Sequence, residues 1–573
     1  MAEQIISPGV FQIESDQSIY TTQPPALGAA IVGPTVSGRP FVPTYVTSYS
    51  QYQSLFGDIF KSGSYYYEYF TSQAAQQYFA NGGNSLLVTR VISGSNNVST
   101  YATATIPAIS TSSSIQLEVL SWGDQLNNTS SLSSGSLASG SKFNVRWEVT
   151  AVNTGSGTFT LTVRRGDDND NTKNILETWA NVGLDPMLTN YVSRVIGDVK
   201  PVYVAATGTS AAYVNFTGSF KNNSQYVRVS AVTTPNADSI DNNGLYKVAQ
   251  YSSSLPVVGS GSYGGSFTGG ATDTATVKFM NESITATNIQ GFAPADYLTA
   301  FALLGNKDEY QYNILLAPGI GLDNSAVSTM ISTVEGRGDA IAIIDNGIYG
   351  TSISQATTNA SGQSSNYGAN YYPWIQLYSS GLGKTIWCPP TTVIGGVLAF
   401  NDQVGAEWFA PAGLNRGGIP SVVRAERRLQ QTDRDTLYSG NVNPLATFPG
   451  TGVCVWGQKT LQRKPTSLDR VNVRRLLIAL KGFIGGVSRT LVFEQNTTVT
   501  RNKFLSQVNP YLESVVQRQG LYAYKVVMDS SNNTPDVIDR NQLVGQIYIQ
   551  PTKTAEFIIL NFNLQPTGAT FPA

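Results

Sequence analysis

The stretch Ser379-Ser380-Gly381-Leu382-Gly383-Lys384-Thr385 ends as a phosphate-binding loop ends, and it is the strongest chemical signal in the chain. Such a loop needs a glycine five residues before Gly383, where this sequence has Tyr378. Without it the backbone amides cannot wrap a phosphate, so the stretch reads as a turn. Histidine is absent altogether, which removes the commonest general base and the commonest metal ligand together. With it goes any Ser–His or Cys–His nucleophile. Cys388 and Cys454 show no CxxC spacing and read as small buried hydrophobes in a reducing compartment. The 37 acidic residues contain no pair singled out by spacing. The expectation is a protein with no catalytic residues, no cofactor and no metal, and not an enzyme. What remains is chemistry of association. Arg470, Arg474, Arg475 and Lys481 make one helical stretch basic, either as a solvated face with ion pairs or as a contact with an acidic partner surface.

The composition points the same way. Only 13% of the 573 residues are charged and the net charge is −1. That is low for a surface kept apart by charge, and it supplies no basic excess for nucleic acid. The start, MAEQIISPGV, has neither a basic nor an apolar signal region, and no run approaches a membrane span, so use in a cytoplasm is expected. Triplets such as Asn215-Phe216-Thr217 arise by chance in so Asn- and Thr-rich a chain.

The elements that would position these residues suggest a mixed α/β multidomain protein. It has an α/β core, a β-rich inserted domain, and an α+β C-terminal assembly domain with extended terminal arms. Residues 1–20 form an arm, with Val10, Phe11 and Ile13 in a short strand. Residues 21–93 alternate strand and helix: a strand at Gly28–Gly33, helices at Ser48–Phe56 and Tyr65–Asn81, and a buried strand at Leu86–Ile92. Residues 94–270 are crowded with Ser, Thr, Asn and Gly around short alternating strands. One helix is expected at Ile175–Asn181 and a linker at Gly259–Gly270. The α/β pattern resumes over 271–450: a helix at Pro294–Leu304, a strand at Tyr312–Ala317, a helix at Ser325–Val334 and a strand at Asp339–Asp345. Residues 351–369 read as a loop, Tyr371–Tyr378 as an extended run, Thr391–Asn401 as a helix through Gly395-Gly396, and 402–450 as irregular. Over 451–573, Ser467 is placed to cap the basic helix, and Thr500–Gln519 carries Phe504, Val508, Leu512 and Val515 on one face.

Two final strands are expected to pair. Leu543, Gly545, Ile547 and Ile549 share a face of the first. Ile558, Leu560 and Phe562 share a row of the second, beside Phe557 and Ile559. A long apolar strand near the C-terminus needs a partner or it templates aggregation. The partners expected are other copies of the same chain.

Several stretches resemble, in order, those of the contractile tail sheath proteins of myophages. They are Ser7-Pro8-Gly9-Val10, Tyr372-Pro373-Trp374, Phe400-Asn401-Asp402, Ala410-Pro411-Ala412-Gly413, Gly452 to Leu461, Val471 to Leu476, Phe493-Glu494-Gln495-Asn496 and Ala555-Glu556-Phe557. The resemblance covers 1–93 and about 270–565, with 94–270 as the family's variable outward-facing domain. It implies a homo-oligomeric helical sheath, in stacked hexameric rings, around a tail tube protein, with a baseplate and a tail terminator as further partners. It implies a virion component assembled in the host cytoplasm, whose contraction drives the tube through the host envelope for genome ejection. No nucleic-acid binding or membrane insertion is implied. Strand exchange would use Val10, Phe11, Ile13, Leu543, Ile547, Ile549, Phe557, Ile559, Leu560 and Phe562. Arg470, Arg474, Arg475 and Lys481 would face the tube. The competing readings are a β-rich adhesin or receptor-binding fibre, and the sheath of a phage-derived injection machine.

Overall fold

Gly28-Ala29-Ala30-Ile31-Val32-Gly33 has no polar alternation, as befits a strand covered on both faces. In the computed structural model it is β1, Ala29–Gly33, an interior strand of an eight-stranded sheet. The structure describes residues 28–559 apart from 63–64, 93–100, 110–113, 129–134, 209, 235–240, 244, 246–253, 262–263 and 271–283.

The first part of the chain continues with β2 (Thr44–Val46), α1 (Tyr49–Phe56), the hairpin β3 (Ile59–Ser62) and β4 (Tyr65–Glu68), α2 (Phe70–Ala80) and β5 (Leu86–Arg90). Ser48 caps α1 by accepting from Gln51 N. The helix expected over Tyr65–Asn81 loses its first turn to β4, where tyrosines pair across the hairpin.

The next residues form β6 (Tyr101–Ile106), β7 (Ile115–Trp122), β8 (Val145–Asn153), β9 (Thr158–Arg165), β10 (Ile175–Gly183), α3 (Val192–Ile196), β11 (Lys200–Val204), β12 (Tyr213–Thr217) and β13 (Val227–Val232). Two three-stranded sheets, β13-β7-β6 and β10-β9-β8, share one core containing Leu117, Val119, Trp147, Leu161, Val163 and Val229. Here Ile175–Asn181 is strand, not helix. Its Leu, Glu and Ala favour a helix locally, but pairing with β9, Trp179 opposite Leu161, outweighs propensity. The Gly259–Gly270 stretch is not a linker. Phe267 is fully buried, Trp147 N donates to Gly265 O, and a Cβ at Gly265 would lie 2.0 Å from Trp147 O. The glycines allow close backbone approach, not flexibility.

The sheet then resumes with α4 (Pro294–Leu304), β14 (Ile314–Gly321), α5 (Val327–Arg337), β15 (Ile341–Asp345), α6 (Ile353–Ser361) and β16 (Gly368–Tyr372). A second, three-stranded sheet carries β17 (Ile375–Ser379), β18 (Lys384–Cys388) and, after α7 (Thr391–Val404) and α8 (Gly413–Arg416), β19 (Val422–Ala425). After α9 (Gln431–Ser439) come β20 (Asn443–Phe448) and β21 (Gly452–Val455). The large sheet runs β2-β5-β1-β14-β15-β16-β20-β21. Its inner pairings are parallel, and β2 and β21 close it antiparallel. It therefore continues past residue 450, to Val455. Ala29 and Ile31 face one core with α2 and α7, while Ala30 and Val32 face the other with α4 and α5. Gly395 and Gly396 let α7 lie close on this sheet and on α2. Added Cβ atoms would meet Leu316 Cδ1 at 2.6 Å and Gln77 O at 2.7 Å. The polar stretch 351–369 contains α6, whose buried face is only Ala356 and Ala360, too thin a stripe to register as periodic. Residues 402–450 hold α8, β19, α9 and β20, not irregular chain.

A candidate assembly surface at the C-terminal unit

The last elements are α10 (Val471–Arg489), α11 (Thr498–Gln517), β22 (Leu521–Val527), α12 (Pro535–Asp539) and β23 (Gln546–Pro551). Phe504, Val508, Leu512 and Val515 line the buried face of α11, with Pro510 inside the helix, as their spacing predicts. They pack against Leu476 and Leu480 of α10. Ser467 does not cap α10. It begins a short turn, Ser467–Asp469, capped by Thr466, and Arg470 stands at the N-cap of the helix.

The four basic residues are placed very differently from one another. Arg475 is buried, and its guanidinium makes a bidentate pair with Asp402 at the end of α7 (Nη1–Oδ1 2.8 Å, Nη2–Oδ2 2.6 Å). Arg474 is buried too. It donates to Asn366 Oδ1 (2.6 Å) and lies 4.0 Å over the Tyr367 ring. Arg470 holds Glu556 (Nε–Oε1 2.7 Å). Lys481 is exposed and only reaches Tyr367 OH, at 3.4 Å. Arg474 and Arg475 thus tie α10 to the α/β unit, and both are buried in the single chain. The sequence gives each charge but not its partner: Asp402 stands 73 positions from Arg475.

The strand residues divide as well. Val10, Phe11, Ile13, Leu560 and Phe562 lie outside the described residues. Leu543, Ile547 and Ile549 turn their shared face onto the α10–α11 core. Tyr548 of β23 and Tyr522 of β22 point to solvent, 56% and 65% exposed. The partner of β23 is β22, Leu521–Val527, directly after Gly520 and not among the strands expected from the sequence. Residues 552–559 are not strand. Among the described residues, the backbone groups of 553–559 pair with no other backbone group. Phe557 and Ile559 are 79% and 84% exposed. The β22–β23 sheet has two strands only, so each keeps one open edge among the described residues. A groove of about 640 Å³ is lined by residues of the segments 465–473 and 551–557.

The other sites considered from sequence resolve plainly. Ser379–Thr385 is a hairpin tip: residues 380–383 turn between the end of β17 and the start of β18, with Gly383 at φ +63° and Ser379 donating to Glu68 (2.6 Å). Cys388 and Cys454 are free and buried, and burial pushes the Cys454 thiol up to about 11. Among the described residues, no three Cys, Asp or Glu side chains are grouped to hold a metal ion. No helix there is long and apolar enough to cross a membrane.

The C-terminal unit thus presents unpaired strand edges beside helices α10 and α11. Residues 290–461 match the family model of the phage tail sheath protein central domain, and 463–565 that of the phage tail sheath C-terminal domain. Over 185 residues the chain is 42% identical to the tail sheath protein of Enterobacteria phage T4, covering 32% of this chain and 28% of that protein. It is 40% identical over 185 residues to the tail sheath protein of Vibrio phage KVP40, again 32% of this chain and 28% of the relative. The chain therefore aligns with less than a third of the length of these curated relatives. A solved sheath tail protein from Listeria innocua shares the fold over 92% of this chain and 95% of its own, at 11% identity and a TM-score of 0.52.

Proposed function

We propose that the chain is the structural subunit of a contractile phage tail sheath. It polymerises as a helical tube around a tail tube and contracts to drive that tube through the host envelope. Copies are linked by strands lent from one to the next. The open-edged β22–β23 sheet, beside an exposed apolar segment at 557–559, carries this reading. An extended segment added to either edge would gain backbone hydrogen bonds worth about 0.5–1.5 kcal/mol each, so a five-residue arm such as Val10–Glu14 contributes a few kcal/mol. One such link is weak. Several per copy act together through effective concentration, and a contact that does not close on itself extends into a helix. The baseplate, the terminator and the tube protein are the other partners of this reading, with assembly in the host cytoplasm. Of the basic set, Lys481 remains the side chain free to meet a tube by charge.

The test is electron microscopy of purified full-length protein and of a chain lacking its first fifteen residues. Long hollow cylinders are expected from the first and not from the second. Cylinders from the shortened chain that contract as the intact ones do would refute strand lending by the N-terminal arm. Compact trimers from the intact chain would point to a fibre instead.

A further inference from the structure

Where the chain leaves β23 it is fixed at two points. The first is Thr552, whose amide donates to Gly520 O (3.2 Å) and whose hydroxyl donates to Gln519 O (2.8 Å). The second is Glu556. Its carboxylate accepts two bonds from Arg470 (2.7 and 3.0 Å), one from the Tyr438 hydroxyl (2.5 Å) and one from Gln458 Nε2 (3.1 Å). Gln458 Nε2 also donates to Thr554 Oγ1 (2.6 Å). These partners come from α9, from the segment after β21 and from the residue before α10, so the grip belongs to the body and not to the β22–β23 sheet. Asp469 pairs with the far side of Arg470 at 3.0 Å, and Lys459 lies 4.3 Å over the Tyr438 ring. Burial alone would raise the Glu556 carboxyl, but the bonds from Arg470, Tyr438 and Gln458 hold it below the usual range.

Between the two points, side chains alternate. Thr552, Thr554 and Glu556 turn inward, while Lys553, Ala555 and Phe557 turn outward. A segment sealed permanently onto a body would bury its apolar row. Here the inward row is polar, and Phe557, Ile558 and Ile559 stand in solvent. Polar contacts of this kind trade with water at small net cost, so they set direction while remaining releasable.

We propose that Glu556 is a positioning residue for the segment this chain offers to a second copy. Held by Arg470, Tyr438 and Gln458, it aims residues 557–559 away from their own body. Released together with the Gln458–Thr554 bond, it moves the fixed point back to Thr552 and frees roughly four residues, about 14 Å of extended chain. That slack is about three strand spacings, enough for a strand joint to stay bonded while the bodies it links shift by a nanometre. This rests on the strand-lending reading above.

The test places spin labels at Ile559→Cys and at exposed Ser354→Cys of α6 in the full, unpolymerised chain; Cys388 and Cys454 are buried and stay unlabelled. Pulsed electron–electron resonance should give a narrow distance distribution in the labelled parent. Glu556→Gln should broaden it, and Glu556→Asp should restore part of the order. The critical concentration for assembly should rise roughly tenfold in Glu556→Gln through lost preorganisation. Equal widths in the parent and Glu556→Gln would overturn the grip. A narrow parent with an unchanged critical concentration in Glu556→Gln would overturn its role in assembly. The critical concentrations are read on unlabelled protein with Ile559 intact, and failure of that parent to polymerise counts against the strand-lending reading, whatever the widths show.

Discussion

Replacing Arg475 with Met should loosen the C-terminal unit from the α/β body. Arg475 is 2% exposed, and its two bonds to Asp402 span α10 and the end of α7. Glu407 lies in the same field and its carboxyl is already raised, chiefly by burial. Removing the guanidinium leaves Asp402 unpaired beside Glu407, with Arg518 the remaining cation acting on Glu407. Breaking a buried pair from one side costs about 3–5 kcal/mol. The Asp402 side chain keeps 26% of its exposure and can recruit water, which places the expected loss near the lower end, about 3 kcal/mol. The double variant Arg475→Met with Asp402→Leu should be milder than the single one, because the stranded charge goes with its partner. Denaturant unfolding, with proteolysis mapped to residues 462–470, gives both readings. A single variant as stable and protease-resistant as the parent would refute the account, as would a double variant worse than the single.

Other outcomes follow from the same reasoning. Asp345 is fully buried and accepts from Thr391 N, Thr391 Oγ1 and Gly319 N, yet burial outweighs these bonds and pushes its carboxyl up to about 6. Between about 4 and 6 the folded chain therefore holds more protons than the unfolded one. Stability from this residue should fall as pH rises through that window, by on the order of 3 kcal/mol. Asp345→Asn should flatten that slope in melting curves taken from pH 4 to 7, and an unchanged slope would exclude Asp345 as its source. Gly396→Ala puts a Cβ 2.7 Å from Gln77 O and should cost about 1–3 kcal/mol. Gly482→Ala meets nothing within 4 Å in α10 and should stabilise by up to about 1 kcal/mol; melting of the two variants in opposite directions checks the packing of α7. Phe557→Asp with Ile559→Asp should leave the melting of the unpolymerised chain alone while abolishing cylinders, since both side chains stand in solvent. A large loss of thermal stability would show that they are buried in the single chain.

Much of the α/β body was legible because its strands carry no polar alternation and its helices carry clear stripes and stops. Helix α4 spans Pro294–Leu304 as read, and α1 ends before Gly57, whose φ of +72° suits a glycine. Local pattern failed where tertiary pairing decides. Ile175–Gly183 looks helical until β9 is laid beside it, and the glycines of 259–270 look slack until Trp147 closes on them. The candidate site was half legible. The alternation of β23 exposed the face it buries, but nothing local marks Arg474 and Arg475 as interior, because Asn366 and Asp402 reach them from distant parts of the chain. Glu556 escaped for the same reason: its partner Arg470 lies 86 positions away.

Helix α10 contributes to two interiors at once. Val471 and Ile478 sit in the core beneath the large sheet, while Leu476 and Leu480 sit in the core shared with α11. A single rod embedded in both gives the molecule no internal hinge at that crossing. In the assembly proposed above, the C-terminal unit and the α/β body of each copy would then move as one piece, and a large change of shape would be taken up in the joints between molecules.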